Sequence, residues 1–296
     1  MAGAGHRVTL VDPAPHMAVI ADRGLRVTGI WGDHCFTGID ARTSTDGLKP
    51  GDFDVVFISV KSFNTPAALD AAAPLVDENT LVCAFQNGLG NIEQVAERFG
   101  WARTVGARVI YGVRVTEPGM INVTVIASPT ALGAMRPDGP VDRVREITAA
   151  MDAAGLPTVY SDRVEALLWA KVAYNSALNP LSALLDARYG SLPDIPEARR
   201  MMDTVIDELY AVGRARGVLL DPPDADAYRD LFYNRLIPPT AAHYASMHED
   251  FACRRRTEID ALNGAIVRLG AECGVACPLN AWLTDLIHAR EAAMRR

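Results

Sequence analysis

No apolar run in this sequence of 296 residues approaches the ~20 residues that a membrane span requires. The first residues also lack the basic, apolar and small-residue segments of a secretory signal peptide. These two absences predict a cytoplasmic protein without a membrane partner. Because 49% of the residues are hydrophobic and 22% are charged, the chain can bury a large core and is long enough for two domains.

Basic residues are outnumbered by acidic ones. The sequence has 29 lysines and arginines against 36 aspartates and glutamates, a net charge of -7. An acidic surface repels a phosphate backbone, so we expect no nucleic acid partner.

Cysteine and metal-ligand patterns are also sparse. The five cysteines are odd in number and scattered, which argues against a disulfide framework and favours reduced thiols. Cys273 and Cys277 form a CxxxC, but no second pair stands at zinc spacing, and His243 and His248 are not part of an HExxH motif. The sequence therefore predicts no metal site.

Strand and helix patterns alternate in the first half of the chain. RVTLVD (residues 7–12) is typical of a short strand, and the helical stretch after it ends at Gly24. Then come a hairpin-like stretch around WGD, the strand FDVVFISVKS, a helix over 65–75, and the strand TLVCAFQNGLG with a helix closed by Gly100. Two β-rich runs about the turn EPGM follow. This alternation predicts parallel βαβ units in an α/β domain over residues 1–162.

Long helical periodicities and almost no strand signal occupy the rest of the chain. We therefore predict an all-α domain over residues 163–296. Its segment LLWAKVAYNSALNP places Lys171, Asn175 and Asn179 at i, i+4 and i+8, within roughly 80° of one another on a helix. One reading is a solvated face whose last asparagine helps to end the helix before Pro180. The other, which we favour, is a polar stripe that faces a ligand cleft.

Three other motifs carry chemically versatile residues. Asn87 and Gly88 follow a predicted strand at its carboxyl end, where α/β sheets bind ligands, although Asn-Gly is also common in ordinary turns. Lys61 ends another predicted strand, where it could meet a phosphate or simply be exposed. Glu258 follows the triplet Arg254–Arg256, which could pair with it on the surface, and Ser246 has no signal of its own.

In this order, the motifs resemble the ketopantoate reductase family. The matching stretches cover nearly the whole chain and are AGHRVTLVD, FDVVFISVKS, FQNGLGNIEQV, LLWAKVAYNSALNPLSAL and SMHEDFACRRRTEIDALNGAIV. The resemblance implies a doubly wound, Rossmann-like domain that binds NAD(P)H and an all-helical substrate and dimerisation domain. It also implies a cleft between them in which a 2-keto acid is reduced to a D-2-hydroxy acid.

The family's functional residues can be transferred position by position. The resemblance places the catalytic lysine at Lys171 and the acidic residue at Glu258. It places the substrate-binding residues at Asn87, Asn175, Asn179 and Ser246, and the cofactor-binding residues at Asp12, Lys61, Asn87 and Gly112. Apart from Asp12, only Gly112 differs from the residue type that the family pattern asks for.

The chemistry fits these residue types. Hydride that arrives at a keto carbon drives negative charge onto the carbonyl oxygen, which an ammonium can stabilise and protonate. Lys171 is expected to be this acid, Glu258 to orient it, and the amides to hold the substrate's carboxylate and hydroxyl. The nicotinamide supplies the hydride, and no metal is needed.

The start of the chain departs from the family pattern. A Rossmann domain begins with a strand, a GxGxxG loop and a helix, and VTLVD matches only the second strand. We therefore interpret the domain as N-terminally truncated and AGAGH as the end of its first helix, with Gly5 as the stop. Neighbouring strand edges should be exposed and pyrophosphate binding lost. The alternatives are a reading frame that starts late and a degenerate copy; the intact site residues favour the late start.

Asp12 is the second departure, because the family more often carries a basic residue there and uses NADPH. A carboxylate at the end of the second strand bonds the ribose hydroxyls of NADH and repels a 2′-phosphate. The sequence thus predicts NADPH or NADH as cofactor with a lean toward NADH, although Arg23 or Lys61 could compensate.

Two alternative functions stay open. One is a mandelate-type D-2-hydroxy acid dehydrogenase on the same scaffold, because the named residues handle a head group common to both substrates. The other is a cofactor-deficient, non-catalytic protein that binds a ligand or dimerises. A homodimer is compatible with the sequence, which defines neither the oligomeric state nor the physiological 2-keto acid.

Overall fold

The computed structural model describes residues 1–295 and divides the chain into two compact units. The first, called the sheet unit, consists of Met1–Ser59, Thr65–Phe85 and Gln94–Val164. The second, called the helical unit, comprises the chain from Glu165 onward together with Val60–Asn64 and Gln86–Glu93.

The sheet unit is built from short strands with helices between them, which confirms the predicted α/β alternation. Its helices are α1 (His16–Arg23), α2 (Thr65–Ala72), α3 (Asn91–Phe99) and α4 (Val141–Ala153). Its strands are β1 (Thr9–Val11), β2 (Leu25–Gly29), β3 (His34–Phe36), β4 (Asp40–Arg42), β5 (Val55–Ile58), β6 (Leu81–Ala84), β7 (Thr104–Arg108), β8 (Tyr111–Glu117), β9 (Met120–Ile126), β10 (Thr130–Ala134) and β11 (Thr158–Tyr160).

These strands form three sheets instead of one continuous doubly wound sheet. The main sheet has the order β11-β10-β7-β6-β5, in which β5, β6 and β7 are parallel. The strands β1 and β4 pair in parallel on their own, and β8 and β9 join the β2-β3 hairpin in the order β3-β2-β9-β8. Within residues 1–295 no strand bonds to both β1 and β5, so each leaves an edge without a partner, and Val11 is 42% exposed.

Several local predictions are confirmed. The helices α1 and α3 end just before Gly24 and Gly100, which have positive φ angles of 80° and 83°. The stretch around WGD is the antiparallel β2-β3 hairpin, and EPGM is the turn between β8 and β9. Near the N-terminus, Gly5 (φ +87°) ends a short 3-10 helix over Ala2–Ala4. This glycine acts as the predicted helix stop.

The helical unit packs its helices around one apolar core, in which Leu178, Ile206, Leu209, Tyr228 and Phe232 are fully buried. Its α-helices are α5 (Val164–Leu185), α6 (Pro196–Ala215), α7 (Ala225–Leu231), α8 (Ser246–Ala252), α9 (Asn263–Glu272) and α10 (Pro278–Met294). A π-helical turn over Phe232–Leu236 follows α7, and a 3-10 turn over Ile259–Ala261 precedes α9. Among residues 1–295, no helix is both long and apolar enough to cross a membrane.

Pro180 lies inside α5, so the alternative reading, in which an asparagine helps to end the helix before it, is wrong. Proline lacks the N–H that would bond the carbonyl four residues earlier, that of Ser176. The Asn263 side chain supplies the missing donor, with Nδ2 3.1 Å from the Ser176 oxygen. Asn263 Nδ2 also donates to Asn280 Oδ1 (2.9 Å), and Glu208 accepts the backbone N–H of Asn280 (3.0 Å). This buried polar chain keeps α5 continuous where its polar stripe lies.

Candidate active site

The polar stripe of α5 consists of residues in unequal surroundings. Lys171 and Asn175 are half-buried, whereas Asn179 is only 4% exposed. Asn179 Oδ1 accepts a hydrogen bond from the hydroxyl of Tyr189 at 2.7 Å. Because α5 extends past Asn179, the stripe is one continuous helical face in the helical unit and not a fraying end.

Asn87 lies in the turn after β6 and contacts Lys171 directly. The Lys171 ammonium donates to Asn87 Oδ1 across 2.6 Å. Asn91 Nδ2 donates to the Asn87 carbonyl at 2.8 Å and so fixes the turn from the other side. The two predicted residues are 84 positions apart in the sequence, and the fold brings their side chains together.

Gly88 allows this turn to pack tightly. Its φ is +89°, and a Cβ there would lie 2.3 Å from the Ala261 carbonyl oxygen. The same oxygen accepts the backbone N–H of Leu89 at 2.9 Å. The Asn-Gly pair therefore serves two needs: a left-handed conformation and a close backbone approach.

Glu258 contacts Asn87 and the segment 60–64, so the alternative reading, in which it pairs with Arg254–Arg256 on the surface, is wrong. Its side chain is 10% exposed. Oε1 accepts the backbone N–H of Ser62 at 2.9 Å, and Oε2 accepts Asn87 Nδ2 at 3.4 Å. Oε2 also lies 3.6 Å from Lys61 Nζ. Asn87 thus links Glu258 to Lys171 through its two side-chain atoms.

The neighbouring arginines have other carboxylate partners. Arg255 Nε donates to Asp250 Oδ1 at 3.1 Å, and Arg256 Nη2 donates to Asp260 Oδ2 at 2.9 Å.

Asp250 is a site residue that the sequence reasoning missed. It is 3% exposed, and its Oδ2 accepts a hydrogen bond from Lys61 Nζ at 2.9 Å. The only sign of it in the sequence is that Asp250 stands one helical turn after Ser246 in SMHED. Lys61 is thereby held between two carboxylates, those of Asp250 and Glu258.

The arrangement places two of the chain's three lysines among acceptors that are largely out of solvent. Ionised groups are buried only at a high cost unless charge partners and hydrogen bonds compensate. Lys61 with Asp250 and Glu258 meets this condition, and the amide of Asn87 extends the same network to Lys171.

Tyr189 is the second residue that was missed, and it lies beside Tyr174 with the ring centroids 5.8 Å apart. Burial raises the pKa of Tyr189, and it raises the pKa of Tyr174 to about 12. Both hydroxyls therefore keep their protons at neutral pH. Tyr189 therefore donates to Asn179 Oδ1 and fixes the orientation of that buried amide.

The remaining predicted residues lie outside this hydrogen-bonded group. Ser246 is exposed as the first residue of α8, and Asn175 lies one turn along α5 from Lys171. In the sheet unit, Asp12 is exposed directly after β1, where its Oδ1 accepts the Ala14 N–H at 2.7 Å. A Cβ at Gly112 would lie 2.6 Å from Thr124 Oγ1, so a side chain there would crowd the neighbouring strand β9. Within residues 1–295, no group of three His, Cys, Asp or Glu side chains is placed to hold a metal ion.

Family models match both halves of the chain. The model described as ketopantoate reductase PanE/ApbA matches residues 1–137, and the model of the C-terminal part of the same family matches residues 163–291. The chain is 41% identical over 270 residues to a 2-dehydropantoate 2-reductase of Aquifex aeolicus, an alignment that covers 90% of this chain and 85% of the relative. A 2-dehydropantoate 2-reductase of Pyrococcus horikoshii is 30% identical over 297 residues, with 99% and 92% covered. The chain belongs to the ketopantoate reductase family.

Solved structures share the fold over nearly the full chain. A PanE/ApbA family ketopantoate reductase from Ralstonia eutropha JMP134 superposes with a TM-score of 0.86 at 30% identity, covering 100% of this chain and 94% of the other. A D-mandelate dehydrogenase, solved with NADH and anilino(oxo)acetate, has a TM-score of 0.87 at 24% identity, with 99% and 93% covered. The predicted Rossmann-like α/β part followed by a helical part is thus confirmed as the fold class.

Substitution of Gly88 tests the close approach in the turn that carries Asn87. Gly88→Ala should lower the melting temperature more than Gly217→Ala, because both positions have positive φ but only the Cβ at residue 88 meets backbone. Left-handed backbone costs an alanine about 1–2 kcal/mol at either position, so the excess for residue 88 reports the displaced Ala261 carbonyl. Thermal denaturation of the two variants measures this difference. Equal losses would contradict the tight packing of the turn.

Proposed function

We propose that this chain reduces a 2-keto acid to a D-2-hydroxy acid with NAD(P)H, and that Lys171 is the general acid. The single observation that carries the proposal is the contact of Lys171 Nζ with Asn87 Oδ1 at 2.6 Å, within a network that Glu258 completes. This hydrogen bond fixes the position of the ammonium, as a proton donor to a bound ligand requires. Membership of a family of oxidoreductases supports the same assignment.

The roles follow from the charges that develop in the reaction. The bound nicotinamide cofactor would supply the hydride. Lys171 stabilises the negative charge that grows on the carbonyl oxygen and transfers its proton to that oxygen. Glu258 orients Asn87, and through it the ammonium. Asn175, Asn179 and Ser246 provide neutral donors of the kind that bind a substrate carboxylate.

Two charged side chains have the chemistry that parts of a nicotinamide cofactor require. The exposed carboxylate after β1, that of Asp12, matches the ribose hydroxyls, which need acceptors. Lys61 is 37% exposed and carries positive charge, as a group that meets an anionic cofactor requires. Asp12, Lys61, Asn87 and Gly112 are the residues that we propose for this role.

A panel of 2-keto acids tests the proposed function. Purified protein should oxidise NADH or NADPH in the presence of 2-dehydropantoate, and the product should have the D configuration. A higher kcat/KM with phenylglyoxylate would favour the mandelate-type reaction, for which the shared fold of D-mandelate dehydrogenase is the supporting observation. If no keto acid is reduced and millimolar NADH gives no thermal stabilisation, the enzyme assignment fails and the non-catalytic alternative replaces it.

Cofactor choice is predicted from the charges near the ribose-reading position. Asp12 should make kcat/KM higher with NADH than with NADPH, and Asp12→Asn should narrow this difference, because it removes the charge that repels a 2′-phosphate. Two basic residues could attract a 2′-phosphate and so offset the charge of Asp12, but both have carboxylate partners. Arg23 lies 3.0 Å from Asp22, and Lys61 pairs with Asp250. Steady-state kinetics with both cofactors measures the ratio. A preference for NADPH of about tenfold or more, or 1.4 kcal/mol, would overturn the assignment.

The general-acid role predicts distinct effects of two substitutions on α5. Lys171→Ala should lower kcat by about 10²–10⁴, the usual contribution of a positioned proton donor. Asn175→Ala should also raise KM, because it removes a substrate contact. Lys49→Ala, at the exposed lysine of the sheet unit, is the matched control and should leave both constants unchanged. Near-normal turnover of the Lys171 variant would refute its role.

A further inference from the structure

We propose that Glu291, in the last helix, is a positioning residue for the candidate active site. It acts through Thr257, the neighbour of Glu258, and this inference rests on the proposed function. Glu291 is 5% exposed, and one of its oxygens, Oε1, accepts both the backbone N–H and the hydroxyl of Thr257, each at 2.7 Å. Thr257 itself is 1% exposed.

Glu291 stands where helix electrostatics disfavours an acid. It lies in the last turn of α10, which ends at Met294, close to the negative end of the helix dipole. Burial adds a further cost to its charge. Its two bonds to Thr257 are charge-assisted, which makes them stronger than bonds between neutral groups. Glu291 is therefore unfavourable for α10 itself, and the hydrogen bonds that compensate for it go to Thr257, 34 positions away. We infer that the contact with Thr257 is what Glu291 is needed for.

The segment that receives these bonds is stiff, and we name residues 257–261 the Glu258 turn. The Thr257 hydroxyl accepts the Ile259 N–H at 3.3 Å, and the Glu258 carbonyl accepts the Ala261 N–H at 3.0 Å. A displacement at Thr257 therefore moves the whole turn, including the Glu258 carboxylate.

Two groups on the Glu258 turn accept hydrogen bonds from the candidate site. The Glu258 carboxylate bonds Ser62 N–H and Asn87 Nδ2, and the Ala261 carbonyl bonds Leu89 N–H. Asn87 in turn contacts Lys171. Three contacts thus connect Glu291 with the proposed acid: Glu291 with Thr257, Glu258 with Asn87, and Asn87 with Lys171. Glu291 fixes the Glu258 turn, on which the other two contacts depend.

A second link between α10 and the same turn is exposed and serves as a comparison. His288 Nε2 lies 2.9 Å from Asp260 Oδ1, with the two side chains 45% and 46% exposed. Exposed pairs of this kind contribute little because water competes for both groups. The buried Glu291 contact should therefore determine the position of the turn.

Two readouts test the inference. In Glu291→Gln we expect kcat to fall by about tenfold with little change in KM, because the ammonium is misplaced while the substrate donors on α5 remain. Independently of activity, the amides of Ser62 and Leu89 should exchange faster with deuterium, since their acceptors lie on the Glu258 turn. Thr257→Val should reproduce both effects. Thr257→Ser keeps the hydroxyl, so its kcat and its amide exchange rates should be close to those of the unsubstituted chain.

Two controls separate positioning from loss of stability. His288→Ala removes the exposed link to Asp260 from the side of α10 and should change neither readout. Glu208→Gln weakens the hydrogen bonds that another buried carboxylate, on α6, accepts from the start of α10. It should lower the melting temperature without a selective effect on the Ser62 and Leu89 amides. Unchanged exchange at these two amides in Glu291→Gln, or a rise spread evenly over the helical unit, would overturn the inference. If the unsubstituted chain reduces no keto acid, the proposed function fails, and the exchange data still decide whether Glu291 holds the turn.

Discussion

The candidate site depends on one buried carboxylate, that of Glu258. It accepts hydrogen bonds from the backbone after β5 and from the side chain of Asn87, and it lies beside the Lys61 ammonium. Asn87 uses its other side-chain atom to hold Lys171. Removal of this carboxylate would leave Lys61 with one carboxylate partner fewer and would take from Asn87 Nδ2 the oxygen that accepts its hydrogen bond.

The network balances charge as well as geometry. Lys61 is matched by two carboxylates, and the second of them, Asp250, also pairs with Arg255. Lys171 contacts the neutral amide oxygen of Asn87. Lys61 and Lys171 thus belong to one network, in which Asn87 connects the Glu258 carboxylate with the Lys171 ammonium.

Much of the fold could be predicted because its signals are local. Gly24 and Gly100 end helices through their own backbone conformation, and the i, i+4, i+8 spacing of Lys171, Asn175 and Asn179 holds on any helix. Pro180 gave no local sign that α5 continues through it, because the donor that replaces its missing N–H is the side chain of Asn263, on another helix and 87 positions away from Ser176. The division of the strands into three sheets was also missed, since pairing depends on which strands can reach one another.

The site could be predicted only in part. Residue types and a family resemblance pointed to Lys171, Asn87 and Glu258, but Asp250 contacts Lys61 over 189 positions and Tyr189 acts through a buried hydroxyl. Contacts of this kind join side chains of different elements, and the periodicity of a single helix or strand carries no information about them.

Asn87 and Glu258 should act on Lys171 as one unit. A double-mutant cycle of kcat/KM with Asn87→Ala, Glu258→Gln and the combined variant tests this claim most directly. If the unit exists, the combined variant should lose about as much kcat/KM as the more damaging single substitution. Losses that multiply, so that each substitution has its full effect in the presence of the other, would contradict it.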